Sequence, residues 1–192
     1  MILCCNSVSK ITPPVQSRCL LIRVSAPTIQ EIKDNINMIA KKEKLTVPSE
    51  FAEYIATHSK RNMRRAILML ESAYVQQYPF TSDQRVALPD YEVAIAQIAK
   101  SALEDQSPAR LSQIRTQLYE LLSHCIPAQL ILKELSMHWI KSVDDELKAE
   151  MVRYAALYDH RLQVGQKAIF HLEAYVAKFM SIYKRFLLDI SG

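Results

Sequence analysis

Two kinds of hydrophobic pattern divide the chain, and they change over near Thr28. Before it, apolar residues come in short unbroken runs, Ile2-Leu3-Cys4-Cys5 and Leu20-Leu21-Ile22-Arg23-Val24. Runs of this length suit strands buried on both faces, as in a parallel sheet, and they predict strands over 2–5 and 20–24. Between them, Asn6 to Cys19 contains Pro13-Pro14, which breaks any long helix. Two strands joined in this way do not make a sheet alone. The chain is therefore expected to begin inside a domain whose earlier strands are absent.

From Thr28 the spacing becomes helical and stays so. Thr28-Ile29-Gln30-Glu31 is a capping box, in which the threonine hydroxyl accepts from the Glu31 amide and the glutamate reaches back. Ile29, Ile32, Ile36 and Ile39 or Ala40 then mark one face down to Lys42. A second helix is predicted after Pro48, with Ser49 as N-cap and Phe51, Ile55 and Ala56 inward. A third runs from about Asn62 to Gln77 with Ala66, Ile67, Leu70, Ala73 and Tyr74 on its stripe. Three such helices make a small bundle.

Pro79 to Pro89 is polar and turn-rich (Thr81, Ser82, Asp83) and reads as a linker. Longer helices are predicted beyond it, near 90–104, 108–124, 127–141, 145–161 and 165–190. Ser107-Pro108 is a clean start, an N-cap followed by proline at the first helical position. Leu111, Ile114, Leu118, Leu121 and Leu122 follow at helical spacing, and Trp139 sits among Leu132, Leu135 and Ile140 as a buried anchor. The last helix has one broad apolar face: Ala168, Leu172, Tyr175, Val176, Phe179, Tyr183, Phe186, Leu187 and Ile190. That face fits either burial inside its own bundle or packing on another chain.

Composition narrows the chemistry. With 192 residues, 49% hydrophobic and 23% charged, the chain has room for one ordinary domain or two small ones with real cores. It holds only two glycines, Gly165 and Gly192, against an average usage of roughly 7%. Phosphate-cradling loops need φ > 0 and close backbone approach, so no nucleotide cradle of the usual kind is expected here. The net charge of +4 favours an acidic partner only weakly, and its densest stretch is Lys60, Arg61, Arg64 and Arg65.

Cys4, Cys5, Cys19 and Cys125 lack C-x-x-C spacing and read as buried, reduced thiols. His58, His124, His138, His160 and His171 form no metal pattern. No basic region precedes the apolar run at Met1 to Cys5, and no stretch reaches about 18 apolar residues. A soluble intracellular protein without a secretory leader or membrane span is expected.

Three segments carry a more specific signal. In Ile2 to Cys19 (ILCCNSVSKITPPVQSRC) a polar Asn6 follows an apolar run, and Ser17-Arg18-Cys19 leads into the next one. This resembles the C-terminal part of the AAA+ core in clamp-loader small subunits. The resemblance implies that Asn6 is the sensor 1 residue near the γ-phosphate. It also implies that Arg18 is an arginine finger reaching the ATP of the neighbouring subunit. A guanidinium aimed at the β/γ-phosphates stabilises charge that develops during transfer. Arg61-Asn62-Met63-Arg64-Arg65-Ala66 resembles the start of the lid helix, where Arg64 falls on the sensor 2 position. Arg61-Asn62 stands where the family usually has Gly-Asp.

The segments Leu118 to Pro127 and Lys167 to Met180 are similar to the collar of eukaryotic replication factor C subunits. The resemblance implies a mainly α fold: 1–26 as a two-strand remnant of the ATPase core, 27–80 as a three-helix lid, and 88–192 as a five-helix collar. It implies a subunit of the ring that opens a sliding clamp and loads it on primer–template DNA in replication and repair. The implied partners are the other replication factor C subunits and, through the complex, the sliding clamp PCNA and DNA. ATP and magnesium belong to the full complex, localisation is nuclear, and this chain alone is expected to be no enzyme. The residues also admit a helical interaction adaptor joining copies through 165–190, or a nucleic-acid binder using Lys60 to Arg65.

Overall fold

The computed structural model describes residues 1–82 and 84–191, with nine α-helices and no strand among them. It divides into two compact units, Met1–Ala87 and Leu88–Gly192. The first begins with a 3-10 turn, Val8–Lys10, and a one-turn helix α1 (Pro13–Gln16). Three helices of the expected lid follow: α2 (Ile29–Lys42), α3 (Ser49–His58) and α4 (Met63–Gln76). The second unit, the expected collar, contains α5 (Asp90–Glu104), α6 (Pro108–Ser123), α7 (Ala128–Ser142), α8 (Asp145–Val164) and α9 (Ala168–Ser191).

The expected strands over 2–5 and 20–24 are not formed. Their backbone makes no ladder, and Ile2, Leu20, Ile22 and Val24 stand exposed. A strand's N–H and C=O groups need a neighbouring strand, and nothing in this unit supplies one. The four cysteines are likewise exposed, not buried; three of them lie in this uncovered stretch.

The lid forms as its local signals require. Thr28 Oγ1 accepts from the Glu31 amide at 3.2 Å, and the Thr28 amide donates to Glu31 Oε2 at 2.7 Å, completing the capping box. The bond from the Thr28 amide and a second from the Thr28 hydroxyl, 3.0 Å from Oε2, aided by the nearby Arg61 charge, hold the Glu31 carboxyl below its ordinary pKa. Helix α3 differs from expectation: Pro48 is the N-cap, and Ser49 is already helical without a capping bond. Ile32, Ile36, Phe51, Ala52, Ile55, Ala56, Ala66, Leu70 and Ala73 form the core. Ile29, Ile67 and Tyr74, expected inward, are 38–46% exposed. Three short helices enclose a narrower stripe than the apolar residues they carry.

Residues 79–87 are a strap on the lid more than a free linker. Phe80 is buried and stacks on Phe51, ring centroids 5.3 Å apart, while Val86 closes the same core. Gln84, buried, donates from Nε2 to the Ala73 carbonyl at 3.1 Å, occupying an acceptor in the last turn of α4. Asp83, read as part of the turn, lies outside the described residues.

In the collar, Ser107 accepts from the Arg110 amide with Pro108 at the first helical position. Helices α6 and α9 run antiparallel: Arg115 pairs with Glu173, and Ser107 to Leu111 lie beside Met180 to Leu188. Trp139 is fully buried, stacked on Phe179 at 3.8 Å, and its Nε1 donates to the Ala99 carbonyl at 3.1 Å. Ser136 donates to the Leu132 carbonyl at 2.7 Å, so the Tyr175 hydroxyl, 2.8 Å away, donates to Ser136. Burial raises the Tyr175 pKa. The collar buries α9 from Ile169 to Ile182, whereas Leu187 and Leu188 are exposed. The expected inward place of Ile190 lies outside the described side chains.

Candidate functional site

The residues singled out from sequence fall on two local structures within the first unit. Asn6 and Arg18 flank a knuckle built from the 3-10 turn and α1. Proline fits the first turn of α1, where its missing N–H costs nothing. Gln16 then staples the knuckle, donating from Nε2 to the carbonyls of Val8 and Ile11, both at 2.7 Å. The helix ends at once, because Ser17 and Arg18 turn back onto the Pro13 and Val15 carbonyls. The Arg18 side chain is exposed, with Nη1 donating to the Pro14 carbonyl at 3.0 Å. One arm of its fork is thus steadied, and the rest of the guanidinium faces solvent. Asn6, also exposed, directly precedes Ser7, the N-cap of the 3-10 turn. Gln16 carried no functional signal in sequence, since its role depends on a fold of the chain only eight residues long.

Arg64 lies in the first turn of α4 and is exposed. Asn62 caps this helix, accepting from the Arg65 amide at 3.2 Å. That turn has no acidic residue, whereas α2 and α3 begin with Glu31 and Glu50. The positive end of a helix dipole disfavours cations and favours an anion, and at this helix start the exposed Arg64 adds positive charge with no acidic residue in the turn.

The approach to α4 explains the departure at Arg61. Both Lys60 and Arg61 have left-handed backbone, with φ of 53° and 61°. Glycine takes that conformation without cost, whereas an L side chain strains it. Arg61 offsets the strain through its guanidinium: Nε donates to the Pro27 carbonyl at 3.0 Å and Nη2 to the Ala26 carbonyl at 2.8 Å. Sequence reasoning marked this position only as an irregularity, because its partners lie 34 and 35 residues away.

Among the described residues no group of His, Cys, Asp and Glu could hold a metal ion. No described helix is long and apolar enough to cross a membrane.

Comparison with known proteins matches both units. Residues 34–75 match the RCF1/5-like AAA+ ATPase lid domain, and residues 91–187 match the replication factor C subunit 3 C-terminal domain. The order of the two, lid then helical C-terminal domain, defines a subunit of the AAA+ ATPase class. The chain is 50% identical over 189 residues to human replication factor C subunit 3, an overlap of 98% of this chain and 53% of the relative. It is 51% identical over 192 residues to Arabidopsis thaliana replication factor C subunit 3, covering 100% of this chain and 54% of the relative. It is equally similar, 51% over 192 residues, to a rice (Oryza sativa subsp. japonica) protein named replication factor C subunit 5. The chain belongs to the replication factor C subunit 3 family. It spans about half the length of the curated relatives it matches.

Proposed function

We propose that this chain is the lid and collar portion of a clamp-loader subunit, a member of the ATP-driven ring that opens a sliding clamp and loads it on primer–template DNA. The observation that carries this reading is the pairing of two family matches, each seated on its own compact unit, with half the residues identical across the whole chain. The collar joins the subunit to other replication factor C subunits in a pentamer, within the nucleus. PCNA and DNA are met through the assembled complex. ATP and magnesium belong to that complex; with two glycines, these residues hold no loop able to cradle phosphates. The chain alone is not an enzyme.

In this reading Arg18 acts in trans on the ATP of the adjacent subunit, Asn6 is the sensor 1 residue, and Arg64 occupies the sensor 2 position. The exposed, partly steadied Arg18 fork supports the first assignment. The acid-free first turn of α4 supports the last. Arginine fingers supplied in trans are worth about 10³–10⁵ in rate. Only one of several sites depends on this finger, so Arg18→Ala should remove part of the complex's DNA-stimulated ATPase. Arg18→Lys should rescue poorly, because an ammonium lacks the planar fork. The experiment introduces Arg18→Ala into the full-length subunit and reconstitutes it with the other replication factor C subunits. Unchanged ATPase and clamp loading would refute the finger, and failure of the subunit to co-purify with the others would refute the reading as a whole.

A further inference from the structure

We infer that Arg61 is a positioning residue that fastens the arm leading into the lid to the turn that starts α4. Its two hydrogen bonds reach consecutive carbonyls, Ala26 and Pro27, immediately before the Thr28 cap of α2. The planar fork of a guanidinium suits two such acceptors from one side. The guanidinium also lies close enough to Glu31 to lower that carboxyl's pKa. A cation near the start of α2, adverse to the helix dipole on its own, is thereby balanced by a capping glutamate. The backbone at Arg61 is left-handed, which no ordinary packing benefit of a long side chain requires. A strained residue persists where the surroundings over-determine it, and here the surroundings are these two carbonyls.

Sequence position gives the clasp its reach. Arg61 is followed at once by Asn62, the cap of α4, and by Arg64 in its first turn. On the other side, Ala26 and Pro27 end the arm that runs back to Arg18 and Asn6. The clasp makes the end of the arm and the beginning of α4 one rigid piece. Resting on the proposed nucleotide-sensing roles, a displacement of Arg64 then carries the arm with it instead of being absorbed at residues 25–28.

The test uses Arg61→Gly, which suits φ of 61° and removes the guanidinium, beside Arg61→Lys. In the chain itself, ¹H–¹⁵N heteronuclear NOE values at Ala26 and Thr28 should equal those of α2. They should fall to the level of residues 20–24 in Arg61→Gly with the melting temperature held, and Arg61→Lys should lie between. Unchanged NOE values in Arg61→Gly overturn the clasp. A lowered melting temperature with NOE loss across all three lid helices also overturns it, making Arg61 a fold-stability residue. In reconstituted clamp loader, Arg61→Gly should lower DNA-stimulated ATPase by part of its rate, and by no more than Arg18→Ala does. Intact ATPase beside a lost NOE refutes the coupling. If the wild-type subunit fails to assemble, the proposed function falls while the clasp is still judged by the NOE.

Discussion

The lid core is a single narrow seam in which Phe51 touches Tyr54 on one side and Phe80 on the other. The collar core runs through five helices and centres on Trp139, with Tyr175, Phe179 and a set of branched aliphatics around it. The lid therefore gains a larger share of its stability from chain-end devices: a capping box, an asparagine cap, the Arg61 clasp and the strap. The collar gains more from burial, because a larger unit encloses a greater fraction of its apolar surface. Small units lean on local chemistry because their cores alone barely offset conformational entropy.

Single substitutions can break or sharpen this comparison. The largest effect is expected from Phe51→Ala. Removing a buried phenyl ring costs about 3–5 kcal/mol, comparable to all that a unit of this size holds in reserve. The lid should unfold, and calorimetry should show its transition lost while the collar transition remains. Trp139→Ala removes a still larger side chain, also at about 3–5 kcal/mol, together with the indole bond to the Ala99 carbonyl. The collar should stay folded with a lowered urea midpoint. Simultaneous collapse of both units in either variant would show that they do not unfold separately.

A smaller effect is expected at the strap. Gln84→Ala removes a buried hydrogen bond worth roughly 1 kcal/mol, and should speed tryptic cleavage at Arg85 without lowering the collar midpoint. Cleavage at the wild-type rate would mean that Phe80 and Val86 hold the strap unaided. The smallest effects are in pH. Glu31 has a lowered folded-state pKa, so its contribution to the lid is present above the ordinary glutamate value of about 4.3. That contribution is lost as pH falls through the lowered value. Tyr175 is raised, so its contribution to the collar is complete below about pH 10 and is lost as pH rises through the raised value. Glu31→Gln should flatten the acid limb of lid melting, and Tyr175→Phe the alkaline limb of collar melting. An acid limb that persists in Glu31→Gln would assign it to another carboxylate.

Local signals made most of the helices legible in advance. Ser107-Pro108, Thr28 with Glu31, and the apolar run through Ile114 and Leu118 each act within a turn or two of themselves. The 2–5 and 20–24 runs misled for the opposite reason: strand pairing depends on partners far along the chain, and apolar composition does not reveal whether they are present. The strap was hidden in a segment whose prolines and polar residues obscured Phe80 and Val86, two apolar positions that could have flagged it. Burial on α9 was misplaced by small rotations. Ile169, Met180 and Ile182 face inward beside Leu172 and Val176, while Leu187 turns out. Of the proposed site, Asn6, Arg18 and Arg64 could be named from motifs, whereas Gln16 and the tethering bonds of Arg61 could not. Their importance lies in backbone carbonyls, which have no sequence signature.

Trp139 is the only tryptophan in the chain. It is fully shielded from solvent, 3.8 Å from Phe179 and 5.4 Å from Tyr175 by ring centroid. The lid, with Tyr54, Tyr74 and Tyr78, has no indole. Excitation at the red edge of protein absorbance therefore interrogates the collar alone, and a red shift of emission marks the moment its interior admits water. Nature has in effect placed an optical label in one unit and left the other dark, so the opening of the second unit can be followed in the unmodified protein without a signal from the first.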